Sequence, residues 1–126
     1  MRSNGRAGEQ AAEYWFTRHG WQMFKVPPDV RVCGQTGKPG IFLAAFRDGG
    51  IADFLGCNRY GDFMACEIKE CNRNSMPASR LSKKQREFLA GLPDDRACVG
   101  ILWRDGTFEI FHFLPQGSYK KGESQV

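Results

Sequence analysis

Hydrophobic and polar positions divide this chain into short blocks, and the spacing of the apolar residues changes wherever glycine or proline interrupts it. Residues 8–18 contain the run Glu-Gln-Ala-Ala-Glu-Tyr-Trp-Phe-Thr-Arg, made mostly of helix-favouring residues, and predict a helix. Glu9 falls in its first turn, where the helix dipole favours an acid, and His19-Gly20 supplies the stop. Residues 21–26 alternate weakly, Trp21 and Met23 against Gln22 and Lys25, and predict a first strand closed by Pro27-Pro28. Residues 29–40 carry Gly34, Gly37, Pro39 and Gly40 and read as a long excursion or mobile arm. A short apolar run, 41–46, then leads to the turn Arg47-Asp48-Gly49-Gly50.

The next two apolar blocks, 51–55 and 63–69, predict a hairpin connected through the polar stretch 56–62. Successive side chains on a strand point to opposite faces, so Glu67 and Lys69 share a face while Cys66 and Ile68 point the other way. Residues 70–79 read as a polar loop. Ser82-Lys83-Lys84-Gln85 fits a capping box that opens a second helix, with Phe88, Leu89 and Leu92 as its apolar stripe and Pro93 as its end. Residues 98–103 and 107–114, about Asp105-Gly106, predict a last hairpin. The Gly/Lys/Ser-rich residues 116–126 predict a disordered tail. The order of elements predicts an α/β fold with a mixed central β-sheet flanked by helices, one domain over residues 1–115.

Composition narrows the class of protein without naming its chemistry. The chain has 126 residues, 41% hydrophobic and 25% charged, enough to bury one core. No apolar run is long enough to span a bilayer, and the first residues lack the apolar core of a signal peptide. A cytoplasmic protein of a bacterial cell with no membrane partner is the expectation. Five cysteines without a Cys-x-x-Cys pair predict reduced, structural thiols; a zinc site would need Cys57, Cys66, Cys71 and His112 to converge in the fold. A net charge of +4 is compatible with a polyanionic partner but does not establish one.

The candidate chemistry lies on the first hairpin. Asp53 and Glu67 are flanked by Ala52, Phe54, Cys66 and Ile68, which predicts that both acids are largely buried. Like charges brought together in a dry site repel and need a compensating cation. Asp53 and Glu67 are therefore the expected ligands of a divalent metal, with the backbone carbonyl of Ile68 as a third. Lys69 is placed to orient an attacking water or to stabilise charge developing on a phosphate. The competing account is an ion-pair cluster on an exposed sheet face, worth about 0–1 kcal/mol per pair. His19 and His112 lack partner patterns, no Ser-His-Asp arrangement is suggested, and most aromatics are assigned to the core, Tyr60 with its neighbour Arg59 being the exposed exceptions.

A helix, a D-(x)n-E-x-K hairpin, a second helix and further strands is the layout of the PD-(D/E)xK nuclease superfamily, which this chain resembles, with Ala52-Asp53 in place of the usual Pro-Asp. Within it, Gly5-x-x-x-Glu9 and His19-Gly20-Trp21 resemble the first helix of archaeal Holliday junction resolvases. Lys25-Val26-Pro27-Pro28, Asp53-Phe54-Leu55-Gly56, Glu67-Ile68-Lys69-Glu70 and Met76-Pro77 ahead of Gln85 resemble the RecU-type bacterial resolvases. The resemblance spans about residues 4–114. It implies a restriction-endonuclease-like core, Mg2+ as cofactor with Mn2+ able to replace it, and a homodimeric endonuclease that resolves four-way DNA junctions. It favours Glu9 over Glu13 as the acid completing the metal site, whereas a plain reading makes Glu9 a dipole-stabilising residue. It gives Gln85 a water- or phosphate-positioning role, whereas the capping box accounts for the same residue without one. It makes Arg2, Arg6, Lys25, Lys38, Arg73, Arg80, Lys83 and Lys84 candidate phosphate contacts, and it likens the 29–40 arm to a junction-entering stalk. A nuclease of the VRR-NUC or restriction-repair kind acting on flaps or duplex ends, and a DNA-binding module with a dead site, are the alternatives. The small single domain is also compatible with a phage origin.

Overall fold

The computed structural model describes residues 5–26 and 52–126. The predicted arm, the apolar run 41–46, the turn after it, Cys33, Arg2 and Lys38 all lie outside the described residues.

The fold is mixed α/β. Helix α1 (Arg6–Arg18) leads into β1 (Trp21–Lys25), and the hairpin strands are β2 (Phe54–Asn58) and β3 (Phe63–Cys71). A short β4 (Ser75–Pro77), a 3-10 turn (Ala78–Arg80) and helix α2 (Lys83–Ala90) follow, then β5 (Ala97–Trp103), β6 (Phe108–His112) and β7 (Ser118–Lys120). Five strands form one sheet in the order β1-β2-β3-β5-β6, while β4 and β7 pair separately. All pairs are antiparallel except β3 with β5, which the crossover through β4 and α2 makes parallel.

Alternation along β3 sorts the interior into two layers. Even-numbered side chains, Met64, Cys66 and Ile68, join Phe54, Cys98 and Ile110 beneath Ala12 and Phe16 of α1. Odd-numbered positions face the other layer, where Ala65 and Cys71 pack with Val99, Ile101, Trp103 and Phe111 under Leu81 and Leu89. Glu67 shares that second face and is only 3% exposed, an acid set into an apolar layer. Burial of a side chain such as Phe16 contributes roughly 1.5–3 kcal/mol, so α1 is held to the sheet mainly by this face.

Several expectations need correction. α1 begins at Arg6, earlier than predicted, and Asp53 sits in the bend just before β2 rather than within a strand. The stretch read as a polar loop over 70–79 contains the end of β3, β4 and the start of the 3-10 turn, because Met76 and Ala78 are core residues despite their polar neighbours. The disordered tail is also overturned: Tyr119 is 1% exposed and its hydroxyl accepts the Leu114 N–H at 2.8 Å. The Gly122 N–H donates to Glu109, and the Ser124 hydroxyl donates to the Ile110 carbonyl. One buried aromatic, these hydrogen bonds and the pairing of β7 with β4 dock the segment. Among the described residues, no helix is long and apolar enough to cross a membrane.

Candidate active site

β3 places Glu67 and Lys69 on the face covered by α2. Asp53 arrives beside them because Phe54 pairs with Cys66, which sets Asp53 level with Glu67 across the hairpin. The Asp53 carboxylate accepts the Ile68 N–H at 2.8 Å and so is locked to β3 beyond the last paired residue. The N–H and C=O of one strand residue point toward the same neighbour, so the Ile68 carbonyl faces the Asp53 side of the hairpin.

Glu67 is the focus of the site. One oxygen, Oε2, accepts from Gln85 Nε2 at 2.7 Å and lies 3.7 Å from Lys69 Nζ, a separation that gives Coulomb attraction without a close hydrogen bond. The other, Oε1, is buried and has no hydrogen-bond partner. Burial, and then the charge of Asp53, push the Glu67 carboxyl up to about 8 against the pull of Lys69. Burial also raises Asp53, while the Ile68 N–H it accepts pulls the other way. The layer thus holds one negative charge more easily than two.

Gln85 satisfies both of its readings at once. Its Oε1 accepts the Ser82 N–H at 2.9 Å while Ser82 Oγ accepts the Gln85 N–H at 3.1 Å, closing the capping box. Its amide nitrogen is then aimed at Glu67. The cap therefore fixes the rotamer with which α2 addresses the acid.

Glu9 accepts from Lys25 Nζ at 2.8 Å, and this hydrogen bond raises the Lys25 ammonium further. Both residues act electrostatically on Asp53. Glu13 reaches the group only through a weaker influence on Lys25, so the structure brings Glu9 rather than Glu13 to the rim. The pairing of Lys25, a candidate phosphate contact, with Glu9 is not legible in the sequence, since nothing local joins the helix to the strand.

The remaining basic candidates scatter. Arg6 and Arg73 are exposed, Lys83 lies 3.9 Å from Glu87 on α2, and Lys84 lies in the same exposed first turn. Arg80 Nη2 donates to the Glu70 carbonyl at 3.0 Å, next to the site. Glu70 was also missed: its carboxylate accepts the Gly8 N–H at 2.8 Å and serves α1 in place of Gly5, which offers no side-chain cap. The missing cap was the only signal for it.

The cysteine expectation divides. Cys57, Cys66, Cys71 and Cys98 are free thiols, as expected. The zinc arrangement is not formed: Cys66 and Cys71 are buried in opposite layers and Cys57 is exposed. Among the described residues, no group of three or more His, Cys, Asp and Glu side chains is gathered for a metal ion, so any such ion would rest on two carboxylates together with backbone or water oxygens. No protein-family model and no curated protein matches this chain.

Proposed function

We propose that this protein is a divalent-metal-dependent DNA endonuclease acting on four-way junctions, with Asp53, Glu67 and Lys69 at its reactive centre. The observation that carries the reading is the unpartnered Glu67 Oε1, buried beside a second carboxyl. Glu67 has a donor on one oxygen only, and a buried carboxylate oxygen left bare beside a second carboxyl is compensated best by a cation. Oxygen donors of this kind suit Mg2+ or Mn2+ rather than a soft metal.

Asp53, Glu67 and the Ile68 carbonyl would hold the ion, with Glu9 at the rim. The ion would supply a Lewis acid for the scissile phosphate and lower the pKa of a bound water. Lys69 holds its ammonium on the face of Glu67, where it orients the attacking water and stabilises charge on the phosphate oxygens. Gln85 keeps Glu67 turned toward the site, and the Glu9–Lys25 pair holds a cation against Asp53.

The element order, a helix before the hairpin and a capped helix after it over a mixed sheet, is compatible with the restriction-endonuclease-like core that the resemblance implies. The choice of four-way junctions and of a homodimer, which would present two such sites for paired cuts, rests on that resemblance. The test is incubation of the purified protein with labelled four-way junction, flap and linear duplex DNA, with and without Mg2+. Symmetric nicks confined to the junction, lost in Glu67→Ala and Lys69→Ala, are expected. Equal cutting of all three substrates would leave a nuclease but remove the junction assignment, and binding without cleavage in Mg2+ or Mn2+ would replace it with a DNA-binding module.

A further inference from the structure

A cleft of about 910 Å3 opens beyond Lys69, at the C-terminal ends of the parallel strands β3 and β5. Its lining combines an apolar part, Ile68 and Leu102, with three cations, Lys69, Arg80 and Arg104. Among the described residues the one acid lining it is Glu70, whose carboxylate accepts the Gly8 N–H. Each arginine is steadied by a backbone carbonyl: Arg80 Nη2 donates to Glu70 at 3.0 Å and Arg104 Nη1 to Asn72 at 3.4 Å. A guanidinium has five N–H donors, so one bond to a carbonyl orients it and leaves others for a ligand. Positive charge, an open shape and an apolar patch suit a phosphodiester backbone with its sugars better than a small, fully enclosed molecule.

We propose that this cleft carries the DNA backbone adjoining the phosphate to be cut, with Arg80 and Arg104 each neutralising one phosphate. Lys69 stands at the junction of cleft and reactive centre, so a strand lying in the cleft runs directly into it. This inference rests on the nuclease reading for the position of the cut, but DNA binding in the cleft can be measured without cleavage.

The experiment is fluorescence anisotropy of a labelled four-way junction in chelator, across about 50 to 200 mM salt, for the full chain and its variants. Arg80→Ala and Arg104→Gln should each lower the slope of log affinity against log salt by about one, and the double variant by about two. Each single variant then loses about threefold less affinity than the parent across that range. Arg104→Gln retains a donor for the Asn72 carbonyl, and Arg80→Lys, which keeps the charge, should restore most of the slope. Arg18→Ala, at the opposite end of α1, should leave it unchanged. Parental slopes in all cleft variants would overturn the cleft assignment and leave the nuclease reading standing. A reduced slope in a protein that never cuts DNA would support the cleft and sink the nuclease reading. Absence of DNA binding by the parent would overturn both.

Discussion

Glu67 is a carboxyl whose protonated form is favoured by its surroundings, and this sets how the metal-free protein responds to pH. Its folded value, about 8, lies above the ordinary 4.5, so the native state holds a proton that the unfolded chain has already released in that window. The associated stability is fully present below the lower value and is lost as pH rises through the upper one. In chelator, the unfolding free energy from denaturant titration should fall between about pH 5 and pH 8, by on the order of a few kcal/mol at most, and the midpoint with it. Glu67→Gln should flatten that dependence, raise the midpoint at pH 8 and abolish metal-dependent cutting. A steep slope that survives in Glu67→Gln would assign the pH dependence to another group. Gln85 allows a second separation at this scale. Ser82→Ala removes one arm of the cap and should cost about 1 kcal/mol while leaving the cutting rate near that of the parent. Gln85→Ala should cost a similar amount and also slow single-turnover cleavage, because Glu67 loses its donor. Equal rates in the two variants would reduce Gln85 to a capping residue.

Between elements, the contact that decides the site's shape is the docking of α1 on β3. Gly8 has no side chain, and a Cβ there would approach Ile68 Cγ2 and Glu70 Cγ at 3.1 Å, so the helix start can lie against the strand that carries the acids. Glu70 then caps a helix that begins with a left-handed glycine and no capping side chain of its own. Glu70→Ala should destabilise the protein by about 1–3 kcal/mol, the cost of leaving a partly buried N–H without its charged acceptor. Glu70→Gln, which keeps an acceptor, should recover most of it. Amide exchange at Gly8 reports the same event locally and should accelerate in the alanine variant alone. The elements themselves were largely legible. Ser82 and Gln85 announced α2, Asp105-Gly106 announced the last hairpin, and the weak alternation after Gly20 announced β1. The cap from Glu70 was not, because it joins residues 62 positions apart.

At the scale of the molecule, the second layer of the core closes only when the chain's last segment returns. Tyr119 stacks edge-on against Phe111, with ring centroids 5.5 Å apart, and β7 pairs with β4. Tyr119→Ala should cost about 3–5 kcal/mol by urea denaturation, the usual range for deleting a buried aromatic side chain. A loss below 1 kcal/mol would mean that the segment is dispensable for the core. Composition misled here because Gly, Lys and Ser dominate the segment by number, while one buried aromatic dominates it by energy.

The amino-acid sequence by itself determined the mixed α/β class, the hairpin that presents two acids and a lysine, and the cap that starts α2. These follow from short-range rules, side-chain alternation and capping chemistry, that need only neighbouring residues. Tertiary structure alone decided that Glu67 is sealed in an apolar layer with one oxygen unpartnered, that Glu9 meets Lys25, and that Glu70 anchors α1. It also set Arg80 and Arg104 around one cleft. Each of those depends on packing between segments far apart in the chain, and burial, which fixes the cost of a charge, exists only once those segments have met.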